Sequence, residues 1–345
     1  MDFPLYPAPP RFFLLDLFSR LEYNVSHKPY MNGGVSMVEI TLLGTGGTLP
    51  VKGRWLSSAM IRCMGTSILF DCGEGTQMAA READLPLGGV DILCLSHFHG
   101  DHVAGLPGFL LSMGHEGRRT PVDIYGPAGL TEVVTALRIL APFLPFEVRL
   151  HEIRTDQPVT LQTIGHLSVS AFPLEHSVPC LGYTVDLFRP GRFNVEKALF
   201  NHVPQPLWSL LQKTDSATDE TGRVYTRDMV LGPDRKGIHI LLAQDTRPTA
   251  LLEKMMSGRA LCILEGMYGS DDKREKAVET FHMTFTEVAF MASRAKPDEI
   301  WFTHYSPSLP DPETYIEDAQ TIFPRLKLGT DGMKTILTYP DDSDC

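Results

Sequence analysis

The sequence predicts an α/β protein built from stacked layers of sheet and helix. Short strand-like apolar runs alternate with helical patterns along the 345 residues. The runs end in Gly, Pro, Asp and Ser, as strands usually do. Hydrophobic residues make up 43% of the chain, enough for a sizeable core, and mixed elements bury their apolar faces by layering. The expected strands are residues 38–43, 67–70, 91–95, 122–125, 167–172, 182–187, 238–243, 260–264, 299–303 and 334–338. Residues 130–140 and 284–294 carry apolar spacing closer to a helix.

Composition narrows the class. The length suits one large domain or two small ones. The net charge of −11 argues against a broadly basic nucleic-acid binder but leaves room for a local basic surface. No uninterrupted apolar run reaches about 18 residues, so no membrane span is expected. Six cysteines (Cys63, Cys72, Cys94, Cys180, Cys262 and Cys345) lie far apart, with no C-x-x-C pair. They read as free thiols of a cytoplasmic protein rather than a disulfide framework.

Residues 1–36 hold Pro4, Pro7, Pro9 and Pro10 and then an apolar stretch at 12–18, with a charge order wrong for a secretory signal. They are expected to be an N-terminal extension, either a genuine arm or untranslated. In the second case Met37 is the start, and Gly33-Gly34 can be encoded by a purine-rich stretch like a ribosome-binding site. Residues 37–345 form the main domain. Within it, residues 189–237 carry four prolines, a polar segment at 213–222 and scattered anchors such as Leu207, Trp208 and Leu211. This segment is read as an insertion, because long connections inside a compact domain are uncommon and often functional.

The decisive segment is Ser96-His97-Phe98-His99-Gly100-Asp101-His102, which follows the strand at 91–95. In extended chain, residues two apart face one side, so His97 and His99 can offer imidazoles to one ion. A helix beginning next would turn Asp101 and His102 toward a second position. Imidazole and carboxylate suit zinc, with manganese or iron also compatible. Three further candidates each end a strand-like run: His176, Asp245 and His304.

H-x-H-x-D-H followed by a later histidine, aspartate and histidine is the signature of the metallo-β-lactamase superfamily. From about Met37 onward the chain resembles ribonuclease Z, the endonuclease that trims the 3′ end of precursor tRNA. The motifs are Leu43-Gly44-Thr45-Gly46, Phe70-Asp71-Cys72-Gly73-Glu74-Gly75-Thr76-Gln77, the histidine segment through Leu106-Pro107-Gly108, Glu175-His176 with Gly182-Tyr183, Asp245-Thr246-Arg247 and Thr303-His304-Tyr305-Ser306. D-C-G-E-G-T-Q is the most family-specific of them.

The resemblance implies an αββα four-layer sandwich with a projecting arm. It implies two Zn2+ per chain, one on His97, His99 and His176 and one on Asp101, His102 and His304, with Asp245 bridging. His282 matches a further active-site histidine and Glu265 its carboxylate partner. Residues 189–237 correspond to the family's tRNA-binding arm, and their eight Lys or Arg against six Asp or Glu fit phosphate binding. The implied reaction is attack of a metal-activated hydroxide on a phosphodiester, with Asp101 orienting it and His282 as acid or charge stabiliser. It leaves a 3′-hydroxyl on the tRNA. The implied assembly is a homodimer.

Three departures mark a divergent branch: Gln205-Pro206 where Gly-Pro is usual, Leu264-Glu265-Gly266-Met267 for His-Glu-Ala-Thr, and Pro307-Ser308-Leu309 after Ser306. A phosphodiesterase acting on smaller esters needs the same metals without an arm, and a non-catalytic RNA-binding relative is the alternative from another class.

Overall fold

Alternation of apolar residues along the strands generates two sheets that face one another. The computed structural model describes residues 37–340. The N-terminal extension expected at 1–36, the choice between Met1 and Met37, and Cys345 lie outside the described residues.

The first sheet has seven strands, in spatial order Lys334–Thr338, Met37–Gly44, Ser58–Cys63, Thr66–Phe70, Ile92–Cys94, Val122–Gly126 and Val148–Glu152. Its first four strands pair antiparallel and the rest parallel. The second sheet has the order Leu326–Leu328, Ile300–Thr303, Leu261–Glu265, Arg235–Ala243, Cys180–Arg189, Leu167–Leu174 and Val159–Ile164. Its parallel half runs from Leu326–Leu328 to Arg235–Ala243, and its antiparallel half follows.

Three apolar clusters define the layers. Val38, Ile40 and Ile61 of the first sheet meet Val169, Val185 and Ile240 of the second in a core between the sheets. The outer face of the first sheet packs through Leu93 and Ile124 on Phe109, Leu110 and Val134 of the helices Leu106–His115 and Leu130–Leu137. The outer face of the second packs through Leu241, Cys262 and Phe302 on Val288 and Ala292 of the helix Phe285–Ala295. Successive residues alternate between clusters, as Ile240 and Leu241 do, because side chains in a strand point to opposite faces. The result is the αββα sandwich.

The ten expected strands are all present, most shifted or extended by a residue or two, although the one expected at 91–95 is only Ile92–Cys94. Sequence reading missed Ser58–Cys63, Val148–Glu152, Val159–Ile164 and Leu326–Leu328, and the short strands Ser216–Thr218 and Val224–Thr226. Ser58–Cys63 reads S-A-M-I-R-C, with a single β-branched residue. Its strand state comes from two antiparallel neighbours rather than from local preference. The helix expected at 130–140 ends as a 3-10 turn, Arg138–Leu140. Cys63, Cys72, Cys94, Cys180 and Cys262 are free and buried, and burial pushes the Cys63 thiol up to about 12. Among the described residues no helix is long and apolar enough to cross a membrane.

Arg189 and Arg235 pair across the second sheet, and the chain leaves and returns between them. The segment contains the helices Val195–Phe200 and Gln205–Leu211 and a hairpin of Ser216–Thr218 with Val224–Thr226. Anchors that look scattered in sequence converge: Ala198, Val203, Leu211, Ala217, Tyr225, Val230 and Leu231 form a cluster with Leu207 and Trp208 at its margin.

Candidate metal centre

Both sheets aim the same kind of strand end at one place. Cys94, Leu174, Ala243, Glu265 and Thr303 close their strands just before or at the residues of interest. This is where open α/β sheets usually bind ligands, beyond the carboxyl ends of parallel strands. His97 and His99 leave the strand Ile92–Cys94, and His99 is the N-cap of a short helix, Gly100–Val103, that carries Asp101 and His102. His176, Asp245 and His304 arrive from the other sheet.

The seven side chains expected as ligands are brought together in two overlapping groups. In one, His97 Nε2 lies 2.9 Å from His99 Nδ1 and 3.5 Å from Asp245 Oδ2, and His176 Nε2 lies 3.3 Å from His99 Nδ1 and 3.8 Å from Asp245 Oδ2. In the other, His304 Nε2 lies 3.1 Å from His102 Nε2, 3.3 Å from Asp101 Oδ2 and 3.0 Å from Asp245 Oδ1. Asp245 thus gives one oxygen to each group.

Ligand atoms about 2.0–2.1 Å from a tetrahedral ion stand roughly 3.3–3.4 Å apart, near the middle of this range. Asp245 Oδ1 is buried and has no hydrogen-bond partner, although two imidazole nitrogens face it. An uncompensated buried carboxylate oxygen is costly, and a cation shared with those nitrogens would satisfy it. Burial works against a charged imidazole at His304, yet Asp245 and Asp101 more than reverse this and hold it at about 10. The donor set fits divalent ions.

A second layer holds these groups. Asp71 Oδ2 accepts from His102 Nδ1 at 2.8 Å, and Asp71 also takes the Ser96 backbone N–H at 2.7 Å and the Ser96 hydroxyl at 2.9 Å. Such a carboxylate fixes the tautomer and aim of a ligating imidazole. The Thr48 N–H donates to Asp101 Oδ2 at 2.5 Å, and the Phe281 carbonyl accepts from His176 Nδ1 at 3.3 Å. Asp71, Phe281 and His304 are non-glycine residues with φ of 53°, 60° and 55°. Strain of this kind persists only where the surroundings over-determine it, and it clusters at working sites. Gly47 permits one such position: a Cβ there would come within 2.5–2.8 Å of the His304 ring.

His282 and Glu265 meet beside the cluster. His282 Nδ1 lies 3.2 Å from Glu265 Oε1, and His282 Nε2 points inward, 4.0 Å from Asp245 Oδ2. Burial depresses the imidazole, and Glu265 and Asp245 overcome it to raise the pKa. Glu265, fully buried, also accepts the Thr246 and Met283 N–H groups at 2.7 and 3.0 Å. Sequence reasoning gave Asp71 no task of its own. The one sequence signal was the D-C-G-E-G-T-Q string, whose first residue it is. Replacing Asp71 by Asn should weaken divalent-ion affinity by roughly 10–100-fold, read by chelator competition. Unchanged affinity would leave Asp71 a purely structural role.

With this geometry in view, the comparisons with known proteins are concordant. A beta-lactamase superfamily domain family model matches residues 66–195. Ribonuclease Z of Lachnoclostridium phytofermentans is 46% identical over 303 residues, spanning 88% of this chain and 99% of that protein. Ribonuclease Z of Agathobacter rectalis is 45% identical over 306 residues, spanning 89% and 100%. Among solved structures, the short form of human tRNase Z superposes with a TM-score of 0.62 at 23% identity, covering 88% of this chain and all of that one. A metallo-beta-lactamase fold protein of Bacillus subtilis gives 0.61 at 17%, again covering 88% and 100%. The structural likenesses establish the metallo-β-lactamase fold, and the sequence identities over nearly whole chains place this protein in the ribonuclease Z family.

Proposed function

We propose that the chain is a zinc-dependent endoribonuclease that removes the 3′ trailer from precursor tRNA. The observation that carries this reading is the convergence of His97, His99, Asp101, His102, His176 and His304 around the two oxygens of one buried aspartate, Asp245. In a ribonuclease Z relative, that is an arrangement for phosphodiester hydrolysis. One zinc would sit on His97, His99, His176 and Asp245, and a second on Asp101, His102, His304 and Asp245. Bound there, such ions supply Lewis acidity, which lowers the pKa of water toward neutrality and offsets charge on the phosphate.

The residues of the chain do the rest. Asp101, steadied by the Thr48 N–H, orients the attacking water. As the water, having released one proton to solvent, bonds through its oxygen to phosphorus, the bond to the ribose 3′ oxygen breaks; His282 Nε2 gives that oxygen the proton it needs and regains one from solvent. Glu265 accepts the Nδ1 proton of His282 and favours the doubly protonated ring, so that the inward Nε2 also carries a proton to give. The products are a tRNA ending in a 3′-hydroxyl and a trailer with a 5′-phosphate. Purified protein should cleave a 3′-extended precursor tRNA and lose that activity to a chelator. Elemental analysis should find about two ions per chain in the parent and fewer after Asp245→Ala. A metal-free parent after metal-replete expression would refute the dinuclear reading.

Residues 189–237 are assigned as a substrate-docking arm, supported by their excess of basic over acidic residues and by a core of their own. The rival, a phosphodiesterase of small esters, has no use for such an arm. Phe193 bridges Leu231, so residues 194–230 can be replaced by a short turn. This deletion should cripple precursor tRNA cleavage and spare a chromogenic phosphodiester. In the intact enzyme the tRNA reaction should weaken steeply with salt. Equal loss of both activities would make the segment a structural element.

The chain is also proposed to act as a cytoplasmic homodimer. The exposed apolar side chains Ile139, Leu140 and Phe143 supply a surface that association would cover. Light scattering should give twice the chain mass, and a monomer that is fully active on tRNA would remove the dimer from the mechanism.

A further inference from the structure

Arg247 has no part in the proposed chemistry, yet its side chain is mostly buried beside the centre. It follows Asp245-Thr246, and its backbone N–H donates to the Glu175 carbonyl at 2.9 Å, next to His176. Its guanidinium makes a forked pair with Glu287: one nitrogen donates to Oε2 at 3.0 Å and the other to Oε1 at 2.5 Å. The first nitrogen also donates to the backbone carbonyl of His282. The side chains of Arg247 and Glu287 are only 14% and 6% exposed.

Glu287 is itself tied to the same loop. Its Oε2 accepts the Thr284 N–H at 3.0 Å, while the Thr284 hydroxyl accepts the Glu287 N–H at 3.3 Å, closing a capping box at the start of the helix Phe285–Ala295. Thr284 also donates to Asp271 at 2.8 Å. The backbone from His282 to Thr284 is therefore gripped from behind by Arg247 and Glu287. Glu265 grips it from the site side, through His282 Nδ1 and the Met283 N–H. The loop has reason to need both. Phe281, just before His282, stands at φ 60°, a conformation that an unrestrained loop would leave.

We propose that Arg247, acting through Glu287 and the His282 carbonyl, is a positioning residue that aims His282 at the leaving oxygen. It would link the strand end that bears Asp245 to the loop that bears the acid. The inference rests on the assignment of His282 as proton donor in the proposed reaction. Its physical basis is that a planar guanidinium satisfies two carboxylate oxygens at once, so the loop is fixed in angle as well as distance. A misplacement of about 1 Å in a reacting group can cost on the order of 10²-fold in rate.

The experiment compares single-turnover cleavage of two substrates by the full metal-loaded enzyme. One is a 3′-extended precursor tRNA, whose ribose leaving oxygen needs a proton. The other is bis(p-nitrophenyl) phosphate, whose phenolate leaves without one. His282→Ala should slow the first by roughly 10²-fold or more and the second far less. Arg247→Ala should show the same asymmetry with metal content unchanged, and Arg247→Ala/His282→Ala should be no slower than His282→Ala alone. Arg247→Lys keeps the charge and most of the bulk but cannot fork across both oxygens. It should give an intermediate loss, and it serves as the test if Arg247→Ala does not fold.

Equal slowing of both substrates, loss of metal, or a further drop in the double variant would overturn the positioning role of Arg247. If His282→Ala itself lacks the asymmetry, the failure belongs to the acid role assigned under the proposed function.

Discussion

A carboxylate is buried where nothing in the protein fully satisfies it, and the arrangement of the site follows from that constraint. Asp245 is 2% exposed, with Oδ2 facing His97 and His176 and Oδ1 facing His102 and His304 without a hydrogen bond. A charge in that position is tolerable only if positive charge converges on it from several directions. Both sheets contribute to that convergence. The first brings His97, His99, Asp101 and His102 from a single strand end, and the second brings His176, Asp245 and His304 from three. The sandwich closes the two sheets face to face so that these ends share one edge.

Around the first ring of side chains the protein uses oxygens and backbone N–H groups as aiming devices. Asp71 works on His102, the Phe281 carbonyl on His176, the Thr48 N–H on Asp101 and Glu265 on His282. Several of these residues sit in left-handed backbone that costs about 1–3 kcal/mol apiece. Those costs fall on the loops that present the clustered His and Asp side chains, while three apolar clusters in the layers supply the offsetting stability. Rigidity at the strand ends and strain in the loops beyond them are two sides of one design, in which a precise cluster is built on short connections.

The histidine segment was legible without any tertiary information. Its candidate ligands lie within six residues, so strand periodicity and the turn into the helix Gly100–Val103 place them by local geometry alone. The ten expected strands were legible for the same reason, being apolar runs with clear punctuation. Of the more distant residues, His176, Asp245 and His304 were marked only as the ends of strand-like runs; their roles, and His282 and Glu265 altogether, entered through family motifs. No local pattern distinguishes Asp245 from an ordinary turn aspartate after a strand.

What the tertiary structure alone decided is who pairs with whom across long separations. Asp71 and His102 are 31 residues apart, and Arg247 and Glu287 are 40 apart. A hydrogen bond depends on distances of about 3 Å set by packing, which leave no periodic trace in the sequence. The same holds for the edge strands Val148–Glu152 and Val159–Ile164 and for Ser58–Cys63, whose state depends on neighbours in the sheet. In the segment between Arg189 and Arg235, the sequence marked an interruption in the strand pattern, but only folding gathered Leu211, Tyr225 and Val230 into a core. Local chemistry thus named the candidate ligands of the histidine segment, and three-dimensional packing determined how those side chains are held and aimed.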